Sequence, residues 1–204
     1  MRLVQPKHFY KTLFFIYAPL IIIPHEFSHF VAFKHYNITP TQFSVGFGPT
    51  LYQKKVQGTN FKLSLLPFGG YVKVDDKDLT KLNWKQHIIV LLAGPTSSFL
   101  IFLPLLLFFK LKHNWSWNEI NLWNTGFWER FTYLCFFFGI FNLLPIVYFD
   151  GGQIFITLWV TFIGPINNVG IYTFYVLSFL LFFKLFNLSN HPDLFPFLFK
   201  EKRS

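Results

Sequence analysis

Long stretches of this chain carry scarcely a polar residue, and one loop between them alternates apolar with polar positions. Three apolar runs reach the length of a bilayer crossing, about 20 residues for a ~30 Å hydrocarbon slab: Thr12 to Ala32, His87 to Phe109 and Phe131 to Phe149. A fourth, Ile171 to Leu188, is interrupted only by Lys184 near one end, where a long cationic side chain reaches back to the interface. Gln153 to Ile163 is apolar but too short to span, which fits a segment lying along the interface or re-entering it. From Lys34 to Gln86 the period changes. Phe43, Val45 and Phe47 alternate with polar or small residues, and Thr50 to Val56 and Asn60 to Leu66 predict two strands around a turn at Gln57 to Asn60. Phe61, Leu63 and Leu65 would share one face of that hairpin. The pattern predicts an α-helical polytopic membrane protein, a single domain over residues 1–204. It has about four transmembrane helices (12–32, 87–109, 131–149 and 171–188) and a membrane-associated β-hairpin, 42–74, between the first and second.

Composition agrees, with 52% hydrophobic and 13% charged residues. A net charge of +9 would suggest nucleic acid in a soluble domain. Here the cations flank apolar runs or punctuate the loop, so anionic lipid headgroups are the expected partner and nucleic acid is not. Trp115, Trp117, Trp123 and Trp128 lie beside run ends and read as an interfacial belt. Arg2, Lys7 and Lys11 precede the first run as in a signal peptide, but no small-residue cleavage site follows, so a retained signal anchor is expected. The lone Cys135 leaves no disulfide framework. Lysines of the loop balance the cations of the other side, so charge alone does not orient the chain.

The first run holds His25-Glu26-Phe27-Ser28-His29. On a helix, positions i and i+4 share a face, so two imidazoles can converge on one Zn²⁺ while Glu26 reaches a water beside it. A carboxylate in hydrocarbon costs roughly 2.5–3.5 kcal/mol on insertion scales, and a metal ion would offset that cost. Apart from Glu26, Asp150 is the acid in an apolar context, which makes it the candidate third ligand of a His₂-carboxylate site with water in the fourth position. Pro145 deprives its run of a donor, and Gly151-Gly152 would give that run an end. Pro19 and Pro24 predict kinks in the first helix, either admitting water to the metal or serving packing.

These residues resemble the site-2 protease family, the zinc intramembrane metalloproteases, and more narrowly the bacterial envelope-stress type. The resemblance rests on His25 to His29, on Gly46-Phe47-Gly48-Pro49, on Leu66-Pro67-Phe68-Gly69-Gly70-Tyr71-Val72-Lys73, on Ala93-Gly94-Pro95, and on Asn142 to Gly152, which fits N-x-x-P-x-x-x-x-D-G. It implies that His25, His29 and Asp150 hold zinc, that Glu26 is the general base, and that Asn142 positions substrate or stabilises an oxyanion. It also implies a re-entrant hairpin with Gly69 and Gly70 close to the cleft, a bacterial inner-membrane location, both termini outside and the hairpin loop in the cytoplasm. Ser98 stands where the family's second-span motif has Asn, and Gln153 where His is common. Only Lys110 to Gly126 separates the second and third runs, so there is no PDZ-like insert between them.

The function this implies is zinc-dependent endopeptidase action on peptide bonds in or near transmembrane segments, that is, regulated intramembrane proteolysis. A helical substrate must unwind before attack, and a free strand edge could receive it by β-augmentation. Asn60, Phe61, Lys62 and Leu63 are the expected clamp, with Gly69 and Gly70. The alternatives are a zinc transporter, which needs ligands at successive depths, and a catalytically silent scaffold for single-span partners, which would not need Glu26.

Overall fold

The computed structural model describes residues 7–113, 126–146 and 148–188 and divides into two compact units, Met1–Ser98 and Phe99–Ser204. The first unit begins with helix α1, Lys7–His35. Its exposed side is apolar at Ile16, Leu20, Ile23, Phe27 and Val31, whereas Ala18, Ile22, His25, Glu26, His29 and Phe33 are buried. A helix that turns grease outward and its ionisable groups inward is built for lipid. Pro19 and Pro24 lie inside it without ending it, and Ser28 Oγ donates to the Pro24 carbonyl at 2.8 Å. The helix stops at Asn37, which adopts φ +59°, so that Ile38 N–H reaches Phe33 O at 3.0 Å and Asn37 N–H reaches Lys34 O at 3.0 Å. This left-handed cap folds Ile38 back onto Phe33, where both join Val74 and Val90 in a buried cluster.

Two antiparallel strands follow, β1 (Gln42–Val56) and β2 (Thr59–Lys73), joined at Gln57 and Gly58, both with positive φ as a two-residue hairpin turn demands. They are longer than the sequence pattern suggested because each bends. β1 turns at Gly46 (φ +85°), where a Cβ would stand 2.9 Å from the carbonyl oxygens of Ser64 and Leu66. The bend gives each strand two segments. Tyr52–Val56 pairs with Thr59–Leu63, while Gln42–Val45 pairs with Asn60–Leu63 in rising register and with Gly70–Lys73 in falling register. Asn60 to Leu63 is therefore bonded on both sides and is no free edge, which corrects the expected clamp at Asn60, Phe61, Lys62 and Leu63: a strand whose N–H and C=O groups are already paired cannot add another. Gly70–Lys73 is paired on one side among the described residues. Phe30 of α1 meets Phe43 and Phe61 at ring separations of 6.0 and 5.7 Å, which docks the sheet on the helix.

After the short α2 (Asp76–Leu79) comes α3, Trp84–His113. It opens with a reciprocal cap in which Gln86 N–H reaches Asn83 Oδ1 and Asn83 N–H reaches Gln86 Oε1, both at 3.0 Å.

The second unit holds the far half of α3 with α4 (Phe127–Leu143), α5 (Asp150–Phe162) and α6 (Asn168–Leu188). Gly139 lets α4 approach the Phe99 ring, and Phe102 packs on Phe136 at 4.8 Å. Phe155 of α5 stacks on Phe174 of α6 at 4.9 Å, and Ser178 Oγ donates to Pro145 O at 3.2 Å. The run 131–149 is thus not one helix: Pro145 breaks it, and Gly151-Gly152 open α5 where the sequence suggested a helix end. Gln153 to Ile163 falls almost wholly within α5.

Phe15–His35 and Trp84–Lys112, at 21 and 29 residues, are long and apolar enough to cross a membrane. At ~1.5 Å per residue the shorter measures ~31 Å. α4 has 17 residues and the described apolar part of α6 is Val169–Leu180, both shorter than that test asks. Trp115, Trp117, Trp123, Arg2 and Lys200 lie outside the described residues.

Candidate metal centre

His25 and His29 are buried, 3% and 7% exposed, in the C-terminal half of α1. Four residues of helix bring their Nε2 atoms to 3.3 Å, with ring centroids 4.9 Å apart. Two nitrogens that each bind one tetrahedral zinc ion at ~2.0–2.1 Å stand ~3.3–3.4 Å apart, so the observed spacing is the one zinc requires. His29 Nδ1 lies 2.7 Å from the carbonyl oxygen of Val90 on α3. A carbonyl only accepts, so in the neutral ring Nδ1 carries the proton and Nε2 presents its lone pair. The donor set fits the ion that the sequence suggested.

Two glycines make room for these side chains. A Cβ on Gly94 of α3 would stand 2.6 Å from both Cε1 and Nε2 of His25, and closer still to Nε2 of His29. A Cβ on Gly70 of β2 would stand 2.6 Å from Glu26 Cγ and 2.7 Å from Ser44 O. Glu26, 8% exposed, is thereby laid against bare strand backbone. Gly69 is as tight on the Phe47 ring, at 2.8 Å. Ser98, one helical turn beyond Gly94, is 1% exposed and its Oγ has no hydrogen-bond partner among the described residues.

Asp150 is the first residue of α5, where a helix N-terminus favours a carboxylate. Gly151 behind it is obligatory: a Cβ there would lie 2.5 Å from Leu144 O and closer still to Leu143 O. Asn142, in the last turn of α4, donates from Nδ2 to Phe138 O at 2.9 Å. His25 and His29 belong to the first compact unit and Asp150 to the second. The sequence singled out all three. It gave no hint of the Val90 carbonyl, because any residue supplies one, and the Gly94 motif was visible without its role.

An imidazole pair at zinc spacing, beside a buried carboxylate on the same helix, is the equipment of a metallohydrolase. The model of peptidase family M50 matches residues 13–115, just over half of the chain. The chain belongs to that family, which includes the site-2 proteases. Among curated proteins it is similar to one of Chlamydia pneumoniae, 31% identical over 114 residues, and one of Clostridium perfringens, 32% identical over 108, both provisionally named zinc metalloproteases. The matches cover 44% and 49% of this chain but 18% and 32% of those proteins, so the chain spans a third or less of the relatives' length. Its fold is similar to that of the site-2 protease from Methanocaldococcus jannaschii, with a TM-score of 0.55 and 23% identity over 89% of this chain and 70% of that one.

Proposed function

We propose that this chain is a zinc-dependent intramembrane endopeptidase that hydrolyses peptide bonds in or near the transmembrane segments of membrane proteins, as in regulated intramembrane proteolysis. The observation that carries the reading is the 3.3 Å separation of two buried Nε2 atoms next to buried Glu26. His25, His29 and Asp150 would hold the ion, and the zinc-like spacing of the two imidazoles supports the histidine part of that assignment. When bound, zinc supplies Lewis acidity that makes a water acidic near pH ~7 and polarises the scissile carbonyl. Glu26 takes a proton from the attacking water as the carbon–oxygen bond forms, then delivers it to the nitrogen as the carbon–nitrogen bond breaks. Asn142, once its amide leaves Phe138 O, would hold the substrate or the developing oxyanion.

The substrate segment, unwound from its helix, would add to the one-sided Gly70–Lys73 edge, because Gly70 abuts Glu26 and Asn60–Leu63 is already paired. The chain would act as one multi-pass domain of about four spans in the bacterial inner membrane, with α4 and α6 as the shorter spans, termini outside and the hairpin loop cytoplasmic. The outward apolar face of α1 supports membrane insertion. Reporter fusions after Asp78 would check the orientation.

Glu26→Gln tests the chemistry. It should retain zinc and lose cleavage of a co-expressed single-span peptide by ~10²–10⁴-fold, the usual worth of a general base. Unchanged processing would contradict the proposal.

A further inference from the structure

α1 contributes both imidazoles, but what stands opposite them is a residue without a side chain. Gly94 is buried in α3, and all three of the nearest atoms a Cβ would meet there belong to His25 and His29. Two of those atoms are the Nε2 nitrogens, one at 2.6 Å and the other closer. Real Cβ atoms do not approach other heavy atoms so closely, so a side chain there would collide with the two rings themselves. Any residue other than glycine would compete for that space.

A second observation ties the same helix face to the same rings. Val90, one turn before Gly94, holds His29 Nδ1 through its carbonyl. The two contacts act together: Val90 fixes which way the His29 ring faces, and Gly94 leaves the space that the ring then faces. Pro95 follows directly, and the α conformation before a proline is disfavoured mainly by clashes that include the preceding Cβ. Glycine relieves both constraints at once, which makes the backbone cost and the metal cost of a substitution separable only by experiment.

Resting on the metal reading above, we propose that Gly94 is a positioning residue for the metal centre: bare α3 backbone, not a side chain, walls the ion on the side facing His25 and His29. A methyl group there forces one imidazole out of line, and the pair no longer closes on one ion. This role requires no contact between Gly94 and substrate.

The test compares zinc content of the detergent-purified full chain, by atomic emission, for the native sequence, Gly94→Ala, and Ala93→Gly as a neighbouring control. Native and control should each hold close to one zinc per chain, and Gly94→Ala less than about a tenth of that. Gly94→Ala with zinc at the native level would overturn the inference and leave the metal reading standing; a native chain without zinc would overturn both.

Folding is separated by a second comparison, in which Gly94→Ala is also placed in a His25→Ala/His29→Ala background. If the methyl group collides with the rings, cutting them back removes the collision. The fall in melting temperature caused by Gly94→Ala should then shrink to the part owed to Pro95, less than half of its value in the native background. An equal fall in both backgrounds would mean that Gly94 serves only the helix, and would overturn the inference.

Discussion

The two ends of the candidate ligand set are built on opposite principles. His25 and His29 sit inside a continuous helix, and their spacing is a property of that helix, fixed by four residues of rise and rotation. Asp150 sits at the start of a 13-residue helix, after a break that exists because Pro145 cannot continue α4. The first arrangement presets two donors at 3.3 Å. The second leaves one donor dependent on how two helix ends meet at Gly151. A regular element provides precision, and an interrupted one frees backbone groups and lets a carboxylate be aimed.

If that contrast is right, damage to the helical pair should cost most. His25→Ala or His29→Ala removes a preset donor, and zinc affinity measured against a competing chelator should fall by more than the ~10–100-fold that loss of an outer partner causes. Asp150→Asn, which keeps an oxygen donor but loses its charge, should fall less than either; a larger loss than at the histidines would reverse the comparison.

Gly151→Ala probes the break itself. Its methyl group would run into the carbonyls of Leu143 and Leu144, and overpacking of this kind costs ~1–3 kcal/mol. Chemical unfolding should register that loss together with weaker zinc binding, since α5 carries Asp150 at its first position. Stability lost with zinc affinity intact would show that Asp150 does not depend on the break.

The smallest expected effect lies at the far end of α1. Asn37→Ala puts a residue with little tolerance for φ +59° at the left-handed cap, at a cost of ~1–2 kcal/mol. That region meets the imidazoles at one remove, through Val90, which packs in the Phe33–Ile38 cluster and whose carbonyl holds His29 Nδ1, so thermal unfolding should shift while zinc affinity falls by less than in Gly151→Ala. A drop in affinity as large as that of Gly151→Ala would blur the distinction between the two regions.

The same contrast explains what could be read from the chain. The H-E-x-x-H spacing, the first two apolar runs and the hairpin between them were legible in the local pattern, and α1, α3 and the sheet lie where that pattern put them. Asp150 stood out by exception, as an acid among apolar residues, and its place in the ligand set is part of the proposal. The break in 131–149 was harder, since hydropathy is blind to whether Pro145 kinks a helix or ends it. The sheet was hardest. Gly46 and Gly69-Gly70 mark bends, but only three dimensions show that the bend in β1 brings Gln42–Val45 between two parts of β2 and closes both sides of Asn60–Leu63. Val90 was invisible for a different reason: its contribution to His29 is a backbone carbonyl, which leaves no trace in residue identity.

The central claim is that two helix-borne imidazoles and one carboxylate share a single zinc ion. Zinc K-edge X-ray absorption on the purified chain tests it most directly. A first shell of nitrogen and oxygen at ~2.0–2.1 Å, with the outer scattering of two imidazole rings reduced to one in His25→Ala, is the predicted result. A shell containing sulfur, or one whose imidazole count is unchanged by removing His25, would contradict it.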